Sequence, residues 1–208
     1  MTIVVAFYCI DGVVVASDSM LTPVMGQIAT GHHSGRKVYL LSNNQIFAFA
    51  GDQGQADRFR VLADAQNPTG FTQDHPINYP MAVTQSIVQQ FQATGIGDAV
   101  GVNTILAFNC QHGHQCCAFM GKLQPWLLDA EHFYVALGSG KQMADPFLRF
   151  LADTLCSKQP TVRGNCSPLP VRHHADRMIG LLARAARNAS RAVMPCSRPV
   201  AMTLAAAA

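Results

Sequence analysis

The chain has 208 residues, of which 49% are hydrophobic and 13% are charged, and its formal net charge at pH 7 is +3. This length suits one domain with a sizeable core. The 15 Lys and Arg residues are scattered along the chain, so the composition argues against a nucleic-acid-binding surface. The charged fraction lies well below the roughly 25% of an average globular protein, which favours burial of part of the surface in a homo-oligomer.

The apolar N-terminal stretch is too interrupted to be a targeting or membrane segment. Asp11 and Asp18 break it, and the first cationic side chain is Arg36. A secretory signal needs a positive flank, and a membrane span needs about 20 apolar residues. The seven cysteines are odd in number and irregularly spaced, which favours reduced thiols over a disulfide framework. We therefore expect a cytoplasmic protein that does not bind membranes.

Two β-hairpins are predicted before the first helix. The β-branched and aromatic run that begins at Thr2 predicts a buried strand, and Asp11-Gly12 predicts a tight turn into the next. The second helix carries an apolar stripe of Met81, Val83, Ile87, Val88 and Phe91. The predicted elements are strands 2–9 and 13–17, a loop over 19–35, strands in "RKVYLL" and "QIFAFAG", and helices from about 52 to 66 and from about 80 to 93.

The second half of the chain repeats this order of strands and then helices. The predicted elements are strands in "VNTILAFNC", "CCAFMG", "PWLLDA" and "HFYVALG", helices at about 141–156 and 172–191, and a strand near 198–204. Runs of strands followed by runs of helices are typical of the α+β class. A four-layer αββα sandwich of two antiparallel sheets accommodates this order, and we expect a single domain over 1–208.

Several segments together resemble the proteasome β-subunit family. They are Thr2 at the start of the first strand, Asp18 sixteen residues later, Lys37 in "GRKVYLL", "FAFAGDQGQADRF" and "YVALGSGKQMADPF". The resemblance spans residues 2–155 and implies the N-terminal nucleophile hydrolase fold. Within the family, the pattern is similar to the bacterial branch with Anbu and HslV, and most of all to the betaproteobacterial proteasome homologue.

The resemblance implies a threonine-type peptidase. Thr2 is the implied nucleophile, and its own α-amine, freed when Met1 is removed, is the implied base. An α-amine has an unperturbed pKa of about 7.7–8, so it accepts a proton near neutral pH. Lys37 is expected beside Thr2 to disfavour protonation of that amine, and Asp18 is expected to hold Lys37. Ser139 in "LGSGK" matches the serine that hydrogen-bonds the amine in relatives.

The resemblance also implies a backbone donor for the oxyanion that forms during acyl transfer. Alignment of "IFAFAGD" assigns this role to the amide of Ala48, where most relatives carry glycine. Ile46, Phe49 and Ala50 are then expected to shape an apolar substrate pocket.

One feature of active relatives is missing. They carry an Asp near the end of the last long helix, whereas this sequence has no Asp or Glu after Asp176. Asn188, Ser190 and Ser197 are candidates to replace it as hydrogen-bonding groups. None of them carries charge, so we expect weaker proton handling at the amine.

The expected assembly is a homo-oligomer of two stacked rings, with seven subunits per ring favoured over six, that encloses sites for unfolded polypeptides or peptides. No cofactor or metal is expected, and the sequence does not predict whether an ATP-dependent unfoldase acts with it.

Two alternatives remain open. One is a catalytically silent, ring-forming scaffold. The other is a zinc-binding protein that uses the segment "CQHGHQCC", with Cys110, His112, His114, Cys116 and Cys117 as ligands. The second is disfavoured because alternation along a strand sends neighbouring side chains to opposite faces.

Overall fold

The computed structural model describes residues 2–155 except 10, 23, 26–27, 30, 32, 96–100 and 122, together with 177, 180 and 200–205. The strands are β1 (Val4–Cys9), β2 (Gly12–Ser17), β3 (Met20–Leu21), β4 (Val24–Met25), β5 (Ile28–Ala29), β6 (His33–Ser34), β7 (Val38–Leu41), β8 (Gln45–Gly51), β9 (Val102–Cys110), β10 (Gly113–Met120), β11 (Gln124–Leu127), β12 (Tyr134–Leu137) and β13 (Val200–Ala205). The helices are α1 (Gln53–Asp64), α2 (Asn78–Ala93) and α3 (Lys141–Leu155), with 3-10 turns at Ser42–Asn44 and Pro68–Gly70.

Most of the strands form two antiparallel sheets. The first sheet has the order β12-β1-β2-β13, with Val4 opposite both Leu137 and Ser17. The second has the order β11-β10-β9-β8-β7, with Ala48 opposite both Val38 and Ile105. Each predicted hairpin therefore joins strands that are neighbours in a sheet, and β1 lies in the interior of its sheet.

Three clusters of buried side chains separate four layers. Val4, Ala6, Val13 and Val15 of the first sheet face residues of the second, such as Ile105. The outer face of the second sheet packs against α1 and α2 through a cluster that includes Phe47, Phe59, Val83 and Phe119. The outer face of the first sheet packs against α3 through Val5, Phe7 and Leu148. This is the predicted αββα sandwich of two antiparallel sheets, and the fold class is confirmed.

Several sequence-based details differ from the structure. The predicted loop 19–35 contains the short strands β3 to β6, of which β3 pairs with β6 and β4 with β5. The prediction that Met81 belongs to the buried stripe of α2 is wrong, because Met81 is 55% exposed. The buried stripe is Tyr79, Val83, Ile87 and Phe91 at intervals of four, and Met81 lies half a turn away from it. The predicted helix 172–191 lies outside the described residues, apart from helical positions 177 and 180.

Candidate active site

The backbone around Thr2 is fixed from both sides just before β1 begins. The N–H of Ile3 donates to Asp18 Oδ1 at 2.7 Å, and the N–H of Asp18 donates to the carbonyl of Ile3 at 3.0 Å. On the other side, the N–H of Gly140 donates to the carbonyl of Thr2 at 2.9 Å, and the Thr2 nitrogen lies 2.9 Å from Ser139 Oγ, to which it donates. Thr2 therefore has a defined orientation between the end of β2 and the turn that precedes α3.

Lys37 places a buried positive charge beside the side chain of Thr2. Its Nζ lies 3.2 Å from Thr2 Oγ1 and 2.9 and 3.1 Å from the two oxygens of Asp18. The Lys37 side chain is only 1% exposed, and that of Asp18 is 22% exposed. Asp18 Oδ2 also accepts the N–H of Met20 at 2.9 Å. A buried ammonium needs such pairing because its desolvation is costly, and the same contacts fix its position next to the hydroxyl.

Gly138 allows the turn before α3 to approach Thr2. Its φ is +96°, a conformation that L side chains rarely adopt. A Cβ atom at this position would lie 2.4 Å from the carbonyl oxygen of Thr2. The first glycine of "LGSGK" therefore serves both the turn and the close contact that brings Ser139 to the Thr2 nitrogen.

Thr2 and Lys37 line a cavity of about 770 Å³. The lining includes Leu21, Thr22 and His33, and the segment from Phe49 to Gly54. It also includes Leu137, Gly138, Ser139 and Lys141 from the end of β12 and the start of α3. Asn103 and Met120 complete the lining. The described residues thus place the Thr2 hydroxyl at a space that can hold an extended chain segment.

The structure brings Thr2, Asp18, Lys37 and Ser139 together but corrects the predicted oxyanion donor. Ala48 is fully buried between β7 and β9, and neither Ala48 nor Ile46 lines the cavity. Both side chains belong to the cluster between the two sheets. Ala50 does line the cavity. The prediction for Ala48 and Ile46 is wrong because their strand segment is enclosed by neighbouring strands.

Gly51, which the sequence analysis missed, lines the cavity and directs its backbone N–H away from β9. Along a strand, successive N–H groups alternate between the two edges. The N–H of Asp52 donates to Gly101 beside β9 at 3.0 Å, so the N–H of Gly51 faces the opposite edge. On that edge the N–H of Phe49 donates to the carbonyl of Lys37 at 3.2 Å, and Gly51, two residues later, lines the cavity. Gly51 has φ +111°, and a Cβ there would lie 2.0 Å from the carbonyl oxygen of Gly101.

A model of the proteasome subunit family matches residues 2–162. The chain belongs to the proteasome subunit family. Its fold is also that of solved family structures. It superposes on Anbu from Yersinia bercovieri with a TM-score of 0.69 at 13% identity, covering 99% of this chain and 82% of that one.

Two further solved structures share the fold. The Anbu complex of Pseudomonas aeruginosa, solved as a helical assembly, gives a TM-score of 0.70 at 13% identity, with 98% of this chain and 81% of that chain covered. HslV from Trypanosoma brucei gives a TM-score of 0.60 at 14% identity, with 98% of this chain and 99% of that chain covered. No curated protein matches the chain. Within the part of this proteasome-family chain that the structure describes, no helix is long and apolar enough to cross a membrane.

The Cys/His hairpin of this proteasome-family subunit has a structural explanation. Among the described residues, no group of three or more His, Cys, Asp or Glu side chains is arranged to hold a metal. His112 Nε2 lies 2.8 Å from the carbonyl of Thr72, and His114 Nε2 lies 2.8 Å from that of Cys9. Cys116 lies between the sheets, whereas Cys117 faces the helices. Burial raises the pKa of both thiols well above the ordinary value.

Asn188, Ser190 and Ser197 lie outside the described residues. The absence of Asp and Glu after Asp176 remains a property of the sequence itself.

Proposed function

We propose that this proteasome-family subunit is a threonine-type peptidase that cleaves peptide bonds with Thr2 after removal of Met1. The observation that carries the proposal is the pair of contacts at Thr2, whose Oγ1 lies 3.2 Å from Lys37 Nζ and whose nitrogen lies 2.9 Å from Ser139 Oγ. The Thr2 hydroxyl lies beside a buried cation, and the Thr2 nitrogen is hydrogen-bonded to a second hydroxyl. This arrangement suits a residue that supplies both the nucleophile and the base.

In the proposed first step, Thr2 Oγ1 attacks the carbonyl carbon of the substrate and its proton passes to the Thr2 amine. The carbonyl oxygen gains the negative charge and accepts the N–H of Gly51. The bond between carbon and the leaving nitrogen then breaks, and the amine returns its proton to that nitrogen. Water attacks the resulting ester with the amine again as base. The acid product forms and Thr2 is regenerated.

The surrounding residues have distinct proposed roles in these steps. Lys37 disfavours protonation of the amine and favours the alkoxide character of Oγ1. Asp18 holds Lys37 through two short contacts and holds the backbone of Thr2 through the N–H of Ile3. Ser139 orients the amine. An oxyanion donor is typically associated with about 10²–10³ in rate, so we expect Gly51 to contribute at this level.

We expect weak turnover, because no charged acid follows Asp176 in the chain. A carboxylate near the amine favours its protonated form and so assists the uptake of the proton from Thr2 Oγ1. Hydrogen-bonding groups without charge do this less well. This deficit favours one second candidate, a subunit that assembles and binds polypeptides without cleaving them.

We further propose that the subunits form a homo-oligomer of two stacked rings, with seven subunits per ring favoured over six, in the cytoplasm. The low charged fraction and exposed apolar side chains such as Leu40, Val61 and Met143 support association. The related Anbu complex forms a helical assembly. Its substrates are unfolded polypeptides or peptides that reach the enclosed sites. Light scattering that gives a 22 kDa monomer at all micromolar concentrations would contradict this assembly.

Hydrolysis of fluorogenic peptides tests the proposed activity. Mass spectrometry of the N-terminus first separates protein that has lost Met1 from protein that retains it. We expect slow hydrolysis by the Met1-free form, none by Thr2→Ala, and partial activity in Thr2→Ser, which keeps a hydroxyl and an amine. Equal hydrolysis by Thr2→Ala would show that the activity does not use Thr2. Met1-free protein with no turnover of any peptide would favour the silent subunit.

A further inference from the structure

The charged side chains that line the active-site cavity differ in how they are paired. The lining includes Lys37, Asp52, His33 and Lys141. Asp18 neutralises Lys37. Asp52 caps α1 by accepting the N–H of Gln55 at 2.8 Å, and it follows Gly51 directly in the chain. Lys141, two residues after Ser139, is the other lysine of the lining.

Lys141 is held loosely and is accessible to a ligand. It is the first residue of α3, and its side chain is 47% exposed. Its Nζ lies 3.8 Å from Asp145 Oδ2 one turn later, which is a long and exposed ion pair. Exposed pairs of this kind are weak because water screens them, so a competing carboxylate can replace Asp145. Lys141 also lines a second cavity of about 850 Å³ along α3 and β12, and it therefore stands between two open spaces.

The proposed chemistry determines which part of a substrate meets Lys141. The leaving nitrogen must receive its proton from the Thr2 amine, and the Thr2 nitrogen is hydrogen-bonded to Ser139 Oγ. The acyl oxygen must face the N–H of Gly51, and in a planar peptide bond the oxygen and the nitrogen point away from the carbonyl carbon in different directions. The segment released in the first step therefore extends past Ser139 toward Lys141, two residues further along the chain.

We propose that Lys141 is a specificity residue that favours substrates with a carboxylate within the first few residues on the leaving side of the scissile bond. This inference rests on the proposed function, because it takes the direction of the substrate from the use of Thr2 as nucleophile. The carboxylate can come from an Asp or Glu side chain or from the free C-terminus of a short leaving segment. Both sources present the same anion to the Lys141 ammonium.

A binding assay tests the inference without requiring turnover. The protein carries Thr2→Ala, so that peptides bind but are not cleaved, and fluorescence anisotropy measures their affinity. Three peptides share one acyl segment. The first has an Asp in the leaving segment and an amidated C-terminus, the second has a neutral leaving segment with a free C-terminus, and the third is neutral and amidated. We expect the first, the second or both to bind about three- to fivefold more tightly than the third at low salt.

Variants of two residues on α3 separate a local contact from a general charge effect. Lys141→Gln removes the proposed contact and is expected to abolish the preference, whereas Lys141→Arg retains it. Arg149→Gln removes the same charge from the same helix, but Arg149 lines only the second cavity among the two described. We therefore expect Arg149→Gln to leave the preference unchanged.

The outcomes distinguish this inference from the proposed function. Equal affinity for all three peptides, or a preference that survives Lys141→Gln, would overturn the role of Lys141. Failure of every peptide to bind at millimolar concentration would also overturn it. Carboxylate preference without hydrolysis by the Thr2-containing protein would support the binding role of Lys141 and count against the peptidase.

Discussion

Replacement of Lys37 by Met separates the structural and catalytic roles of its charge. The methionine keeps an unbranched apolar stem but leaves the carboxylate of Asp18 without its cation. Removing one partner of a buried pair typically costs about 3–5 kcal/mol. Asp18 is 22% exposed and keeps the N–H groups of Ile3 and Met20 at 2.7 and 2.9 Å. We therefore expect a loss near the lower end, about 3 kcal/mol in the free energy of unfolding.

The same substitution should slow covalent reaction at Thr2. Lys37 Nζ is 3.2 Å from Oγ1, and its loss removes the charge that favours both the free amine and the developing alkoxide. We expect the rate of adduct formation with a peptide epoxyketone to fall by about 10²-fold. Intact-protein mass spectrometry measures this rate, and denaturant unfolding measures stability on the same sample.

The double variant Lys37→Met with Asp18→Asn is the matched control. It removes both charges, but Asn Oδ1 accepts from only one of Ile3 and Met20, so one N–H loses its partner at a cost of about 1–3 kcal/mol. Stability should therefore recover in part, whereas the adduct rate should stay low. A Lys37→Met protein that forms the adduct at the wild-type rate would refute the reasoning, because the cation would then be structural only.

Three other predictions follow from particular contacts. Gly138→Ala should slow adduct formation more than tenfold, because the Cβ would lie 2.4 Å from the Thr2 carbonyl oxygen. The control is Gly113→Ala, at φ +87° with nothing within 4 Å of the added Cβ, which should cost about 1–2 kcal/mol of stability without slowing the reaction. An equal effect of both substitutions on the reaction rate would contradict the account of Gly138. Tyr79→Phe should lower the free energy of unfolding by about 1–3 kcal/mol, because Tyr79 Oη donates to the buried oxygen Gln45 Oε1, and a neutral result would show that this bond contributes nothing. At pH 8, iodoacetamide should alkylate Cys110 before Cys116 and Cys117, whose pKa values burial raises; peptide mapping measures the order, and early labelling of Cys116 would contradict the packing.

The sequence predicts the hairpins and most of the Thr2 environment because both depend on short, regular signals. Alternating apolar strands and an Asp-Gly turn specify hairpins. The interval from Thr2 to Asp18 reflects the length of one hairpin, at whose open end the N–H of Ile3 meets the Asp18 carboxylate. Lys37 begins the next hairpin and lies beside both. These residues are fixed by strand lengths, so motif spacing is sufficient to place them.

Gly51, the proposed oxyanion donor, was missed because strand alternation alone does not identify an amide that faces a cavity. Ala48 and Ala50 are two residues apart and point to the same face, so "IFAFAGD" gives no periodic reason to prefer one end of the strand. The deciding features are the end of the pairing between β7 and β8, where the N–H of Phe49 donates to the carbonyl of Lys37, and the positive φ of Gly51. The glycine before the helix cap Asp52 was the available signal.

Intact-protein mass spectrometry after treatment with a peptide epoxyketone tests the central claim most directly, namely that Thr2 with a free amine is a competent nucleophile. The reagent forms a stable adduct with both the hydroxyl and the amine, so it reports attack without requiring release of a product. The account predicts one adduct per Met1-free chain, mapped to Thr2, and none in Thr2→Ala. Met1-free protein that forms no adduct, or a Thr2→Ala variant that forms the same adduct, would contradict it.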